Sequence, residues 1–470
     1  MLLKLVYRGV RLLSPQLASV IRDTYFTVNG WRFQDLKDHV DFKIGSDTTN
    51  TISMDRSLRE ILDGTLDPER IAFITNLPPD DTGIAICSYF SLLGHQGPID
   101  VFCPVADTDW FFANALQLGA ASKGGMRILD VNAFLTADQM NDYKAVVIST
   151  GNSNHCIYIH DVLKKAASLG DLSRFIVYLH DPCILNFVQR GGMLTPSEMV
   201  RSFEAIYERK IPITPSDLAS SDAVRATLAE QGLMGVRFLL NSGVKRYIVN
   251  SRAALDLVTT DLASEAAQVT QLFHPAFLPR GGEEALSIAR ARVLAGRSEQ
   301  LTIGTFGVPG PSKLTHRVAA AAREIGRRGL PVRVLMAGYG VREYLRNHGS
   351  DFDGLDLRSF DGPTDPQLLR CMAETDVAVQ FRSKNLGESS GIVPQLLCLG
   401  KTVLVSDIGS FKEFGNAVRM VSNDLDVESL ADEILHLWHN PIFQKHTSDY
   451  VSRHTPARFR EKLMEIVATS

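Results

Sequence analysis

The chain has 470 residues, 45% of them hydrophobic and 22% charged, which excludes a disordered or fibrous protein and implies more than one core. A formal charge of −4 supplies no global attraction to nucleic acid or acidic lipid, leaving only local basic patches. No apolar run reaches the roughly 18 residues that span a bilayer.

Residues 1–65 read as a partly helical N-terminal extension. Met1-Leu2-Leu3-Lys4-Leu5-Val6-Tyr7-Arg8 lacks the long apolar core and cleavage site of a signal peptide. Val10, Leu12 and Leu13 continue its apolar positions among Lys4, Arg8 and Arg11. Such a basic amphipathic segment suits an anionic membrane surface or the protein's own surface. From Arg70 the pattern becomes regular. Strands are predicted at Ile71–Ile74, Ile99–Cys103, Ala145–Ile148, Phe175–Leu179 and Tyr247–Val249, with helical stretches between them, beginning with 84–93. Leu272–Ser298, with His274-Pro275, Pro279 and Gly281-Gly282, reads as the crossing into a second domain. Alternation then restarts with strand 301–306, helix 314–328, strand 332–337 and helix 341–348. The last unit is an apolar run at 376–381, a glycine loop, a helix from Ile392 to Leu399 closed by Gly400, and a strand from Thr402. Regular βα alternation predicts parallel sheets covered on both faces. The predicted organisation is an extension over 1–65, a Rossmann-like domain over 66–280 and a second over 281–470, whose last helix is a candidate to cross back.

The six cysteines, Cys87, Cys103, Cys156, Cys183, Cys371 and Cys398, lack metal-like spacing and sit mostly in apolar segments. They read as reduced thiols in a cytosolic compartment. Asp107-Thr108-Asp109 is a lone triplet without a third ligand, so no metal site is predicted. Gly338-Tyr339-Gly340 lacks the remainder of a dinucleotide fingerprint, and neither GxxxxGK[ST] nor GxSxG occurs.

Candidate chemistry gathers where strands end. In Gly387-Glu388-Ser389-Ser390-Gly391 a helix start offers free N–H groups and a positive dipole end, which suits phosphate. Glu388 repels phosphate but accepts hydrogen bonds from hydroxyls, so a ligand that is part anion and part polyol fits both. The alternative is a carboxylate that merely supports the helix start. Ile303-Gly304-Thr305-Phe306-Gly307 ends the second domain's first strand, and Lys313 stands near the next helix start. There it is either an anion partner or a solvated lysine. In the first domain Pro78-Pro79-Asp80-Asp81-Thr82-Gly83 forms the first βα turn. His180-Asp181 closes the 175–179 strand, and Gly151-Asn152-Ser153-Asn154-His155 follows the 145–148 strand.

The segment from Gly387-Glu388-Ser389-Ser390-Gly391 through Leu399-Gly400-Lys401-Thr402 to Ser406-Asp407-Ile408-Gly409-Ser410 and Glu413 resembles a donor-site signature. The signature is that of retaining glycosyltransferases of the GT-B fold, in the large, mainly bacterial group called family four. Phe306-Gly307 with Lys313 is similar to its phosphate loop, Pro78-Pro79 with Thr82-Gly83 to its first-domain glycine loop, and His180-Asp181 to a His-Asp pair near the sugar. The resemblance implies two doubly wound Rossmann-like domains facing a cleft. It implies sugar transfer with retention from a nucleotide-sugar to a glycan or lipid-linked acceptor, in bacterial surface polysaccharide synthesis. Neither metal nor cofactor is implied, and the place would be the cytoplasm, with peripheral contact at the inner membrane face as an option. By the same resemblance Glu388, Lys313, His180 and Asp181 are the catalytic candidates. Gly307, Lys384, Gly387, Ser389, Ser390, Gly391 and Gln395 would bind the donor, and Thr82, Gly83 and Asn152 would line the acceptor or phosphate loop. Two positions depart from the pattern. Leu396 stands where a second glutamate is common, beside Gln395, and Phe306 stands near the place of a phosphate-loop arginine, for which Arg382 or Lys384 could substitute. These departures leave a catalytically silent GT-B scaffold as an alternative. A sugar-nucleotide epimerase is another, though only His180 and Asp181 offer it acid/base groups.

Overall fold

The computed structural model describes residues 67–78, 80, 82–104, 125–136, 142–219, 221–263, 267–442 and 444–469. The extension over 1–65, Pro79, Asp81 and the Asp107–Asp109 triplet lie outside the described residues.

Short β-branched runs build two parallel sheets. The first comprises β1 (Ile71–Ile74), β2 (Ile99–Cys103), β3 (Met126–Asp130), β4 (Ala145–Thr150), β5 (Phe175–Leu179), β6 (Arg246–Val249) and β7 (Gln268–Gln271), in the order β3-β2-β1-β4-β5-β6-β7. The second comprises β8 (Leu301–Phe306), β9 (Val332–Gly338), β10 (Asp356–Asp361), β11 (Val377–Gln380), β12 (Thr402–Ser406) and β13 (Arg419–Val421), in the order β10-β9-β8-β11-β12-β13. Every pairing is parallel; Phe73, for example, lies beside Val101 on one side and Val147 on the other. The chain therefore has the α/β architecture of two doubly wound domains that βα alternation predicts.

Side-chain alternation along the second sheet explains its double core. Val334, Met336, Val377, Val379 and Leu404 face one cluster with Val318, Ile325 and Ile434. Leu335, Ala337, Ala378, Val403 and Val405 face the other with Leu369, Leu396 and Phe414. Both faces are dry, so the strands read as continuous apolar runs rather than alternating ones. All six cysteines are free, five of them buried.

Strand order reverses between β1 and β4 in the first sheet and between β8 and β11 in the second. At such a switch the neighbouring loops diverge to opposite faces and leave a crevice beyond the carboxyl ends of the strands. The loops after β8 and β11 carry Lys313 and Glu388; those after β1 and β4 carry Thr82 and Asn152. At the far end of the first sheet Asp100 is wholly buried. It accepts hydrogen bonds from Arg70 (3.0 Å), Arg127 (2.6 Å) and the Tyr143 hydroxyl (2.6 Å). The final helix, Pro456–Ala468, lies against the first domain: Arg460 donates to the carbonyl of Leu93 at 2.5 Å, and Arg246 donates to that of Ile466 at 3.1 Å.

Candidate functional site

The loop after β8 is shaped by two glycines. Gly307 has φ +95°, the left-handed region that favours glycine, and its N–H donates to the Ala337 carbonyl at 2.9 Å. A Cβ on Gly338 would fall 1.9 Å from the Gly307 carbonyl oxygen, so the loop folds flat only over a bare backbone. Lys313 closes the 3₁₀ turn Pro311–Lys313. Leu314 then takes the left-handed conformation at φ 50° before helix Thr315–Arg327. A non-glycine residue held there costs about 1–2 kcal/mol and is retained only where the surroundings impose it. Ser383 N–H donates to the Ser312 carbonyl at 2.8 Å, tying this loop to the one after β11. Together they bound a narrow slot whose walls include Thr305, Gly307, Lys313 and Gln380.

The loop after β11 borders a second small, open cleft, lined by Arg382, Lys384, Gly387, Glu388, Ser410 and Phe411. Glu388 is largely shielded and accepts from two guanidiniums, Arg382 of its own loop at 2.9 Å and Arg225 of the first-domain helix Ser221–Glu230. The Glu388 carbonyl accepts from Ser410 Oγ at 2.6 Å. Lys384 pairs with Glu230 at the end of that first-domain helix, 2.6 Å apart. Gly387 has φ +75°, and a Cβ there would stand 2.8 Å from Pro182 and 3.0 Å from the Ala254 backbone. Its carbonyl accepts from Ser251 Oγ at 3.0 Å, while Ser389 Oγ donates to the Asn250 carbonyl at 3.2 Å. The glycine loop is thus seated directly on the first domain. Ser390 Oγ accepts from Val393 N–H at 3.3 Å and starts helix Ile392–Cys398 behind Gly391. On that helix Leu396 is fully buried in the core, and Gln395 Oε1 is buried without a hydrogen-bond partner. Glu413 also crosses between the domains, accepting from Arg252 N–H at 2.6 Å.

In the first domain Thr82 caps helix Gly83–Leu92 by accepting from Ala85 N–H at 3.1 Å. A Cβ on Gly83 would meet nothing within 4 Å. Asn152 Oδ1 accepts from the N–H groups of Asn186 (2.7 Å) and Phe187 (3.2 Å), so this side chain caps helix Leu185–Gly191. Asp181 accepts from Asn152 N–H at 2.8 Å and makes no hydrogen bond to His180. His180 Nε2 lies 3.0 Å from Ser149 Oγ, and its Nδ1 lies 3.5 Å from Asn250 Nδ2. Burial, with His274 nearby, lowers its pKa to about 3. The imidazole is therefore neutral at physiological pH and suited to hydrogen bonding rather than to carrying charge.

The structure brings Gly307, Lys313, Lys384 and Gly387–Gly391 to one sheet edge and His180, Asp181, Asn152 and Thr82 to the opposing one. Sequence reasoning missed Arg225, Asn250, His274 and Gln380. Arg225 lies within an ordinary amphipathic helix, and no local signal marks it. Gln380 had one: a lone amide closing an apolar run. Among the described residues no group of three or more His, Cys, Asp or Glu side chains could hold a metal ion.

No protein-family model and no curated protein sequence matches the chain. Solved structures do match. HepE from Anabaena, crystallised with UDP and glucose, aligns with TM-score 0.54 and 14% identity over 86% of this chain and 100% of its own. Sucrose-phosphate synthase from Thermosynechococcus elongatus gives TM-score 0.52 and 12% identity over 85% and 98%. The trehalose 6-phosphate synthase from Burkholderia multivorans gives 0.51 and 11% over 85% and 98%. With its two doubly wound sheets and their opposed carboxyl edges, the chain has the two-domain GT-B fold.

Proposed function

We propose that the chain is a glycosyltransferase that moves a sugar from a nucleoside-diphospho-sugar to a glycan or lipid-linked acceptor. The observation that carries this reading is the meeting of the β8 and β11 loops at the switch point of the second sheet. One brings an ammonium and a left-handed glycine, the other a carboxylate and a glycine loop seated on the first domain. A diphosphate needs a cation and close backbone approach; a sugar needs a carboxylate to accept from its hydroxyls. The complex of HepE with UDP and glucose, a protein of like fold, supports this ligand class.

In this reading the bond from the anomeric carbon to the diphosphate oxygen breaks as one forms to the acceptor oxygen, whose proton passes to the departing diphosphate. Lys313 neutralises the departing charge without a metal or cofactor. Donor hydroxyls would take over acceptor capacity of Glu388 that Arg225 and Arg382 now occupy. His180, neutral and at the facing edge, would hydrogen-bond the sugar or its acceptor. Retention of anomeric configuration and a role in bacterial surface polysaccharide synthesis complete the proposal. We infer a cytoplasmic site of action, with peripheral contact at the inner membrane face when the acceptor is lipid-linked. No described helix is long and apolar enough to cross a membrane.

The clamped carboxylate and the buried Leu396 favour a second reading, a GT-B scaffold without turnover. Calorimetric titration of the full chain with UDP, GDP and ADP, with and without chelator, separates the two. Binding of one nucleotide that survives chelator, and that weakens by about 1.5–3 kcal/mol in Lys313→Ala, is the expected result. Failure of all three nucleotides to bind would leave the scaffold reading standing.

A further inference from the structure

Gln380 is the last residue of β11 and is only 8% exposed. Its side-chain amide nitrogen is buried and has no hydrogen-bond partner. A buried amide donor left unmade is costly, and such groups persist in native proteins where water, an ion or a ligand completes them. Gln380 lines the slot beyond β8 together with Thr305, Gly307 and Lys313, so the residue borders the same slot as the ammonium-bearing loop. Ala378, which shares the face of Gln380 on this strand, is buried among apolar side chains, and an apolar residue at 380 would have continued that face without a penalty.

We propose that Gln380 is a ligand-binding residue, whose amide N–H donates to a phosphate oxygen of the bound nucleoside diphosphate beside Lys313. The proposal rests on the nucleotide-sugar reading above and adds a neutral donor to its single loop cation. Phe306, at the end of the adjacent strand, lines the same slot with a side chain that offers no donor.

Gln380→Met keeps the side chain's length and removes its donor. Its denaturant melt without ligand is expected to match or exceed the wild type, because the unsatisfied amide is gone. Its affinity for whichever of UDP, GDP or ADP the wild type binds, and for inorganic pyrophosphate, is expected to fall roughly ten- to a hundredfold. Gln380→Glu is the second variant. It should bind weakly at pH 8 and recover as pH falls and the carboxyl regains a donor proton, a profile that a packing role would not produce. If Gln380→Met binds as tightly as the wild type, this inference fails while the nucleotide-sugar reading stands. Lower stability of Gln380→Met with unchanged affinity would likewise assign the amide to the fold. If the wild type binds no nucleotide and no pyrophosphate, both readings fall together.

Discussion

His180 and His274 illustrate how burial sets chemistry residue by residue. Desolvation lowers His180 to about 3 and His274 to about 4, the Nδ1–H of His274 donating to the Pro275 carbonyl at 2.9 Å. In the unfolded chain both imidazoles titrate near 6.5. Between the folded and unfolded values the unfolded chain binds protons that the native state does not. Stability contributed by the neutral imidazoles is therefore present above about pH 6.5 and is withdrawn as pH falls. Both side chains are partly accessible, so we expect a loss on the order of 1 kcal/mol each by pH 5. Denaturant melts at pH 7.5 and 5.0 check this, and His180→Gln should lose its share of the difference. Identical pH dependence in the two proteins would show that His180 is not desolvated. Glu388 joins the domains through charge: its two guanidinium partners come from different domains, so the pairing depends on how those domains meet.

At the scale of elements, the β8 and β9 ends act as one unit. The loop that carries Lys313 lies so close to Gly338 that no side chain fits between them. Gly338→Ala is expected to push the Gly307 turn outward. The backbone clash should cost at least 2–3 kcal/mol of stability, in the range of overpacking and strained-backbone substitutions. Nucleotide binding should suffer in parallel, because the displaced turn carries the ammonium with it. A melt and a titration on the same variant test the coupling: full stability with normal binding would mean the turn has room to move. Gly307→Ala is the companion case, since a Cβ there meets nothing within 4 Å and only the φ of +95° opposes it. Its cost should be smaller, about 1 kcal/mol.

Across the whole molecule, the last helix binds the chain's end to its first domain. Phe459, Leu463 and Val467 repeat at four-residue spacing and are each at most 1% exposed. Phe459 packs on Phe273 with ring centroids 5.8 Å apart and on Tyr178 at 6.0 Å. Phe459→Ala is expected to cost about 3–5 kcal/mol, the usual penalty for emptying an aromatic site. Limited proteolysis should then cut near Thr455, where the helix begins. A variant as stable and as protease-resistant as the wild type would show that the helix docks without this ring. The same helix offers Arg460 to the carbonyls that end helix Gly83–Leu92, so its loss would also disturb the element that Thr82 caps.

The interior strands were legible from sequence because a parallel strand covered on both faces carries an apolar run along its middle, as Val146–Ile148 in Ala145–Thr150 and Val403–Val405 in Thr402–Ser406 do. The strands that sequence reasoning missed, Met126–Asp130, Gln268–Gln271, Asp356–Asp361 and Arg419–Val421, are the four sheet edges. An edge strand has one neighbour and partial exposure, so it carries Arg, Asp and Gln that discourage further pairing and erase the apolar signal. The candidate site divides the same way. Gly307, Lys313 and Gly387–Gly391 belong to strand–loop–helix units whose order is local, and local order is written in the chain. The pairing of Arg225 with Glu388, the neutral state of His180 and the unpartnered amide of Gln380 arise between residues far apart in sequence. Distance, burial and hydrogen-bond satisfaction exist for them only once two sheets have folded and met, so the tertiary structure alone decided them.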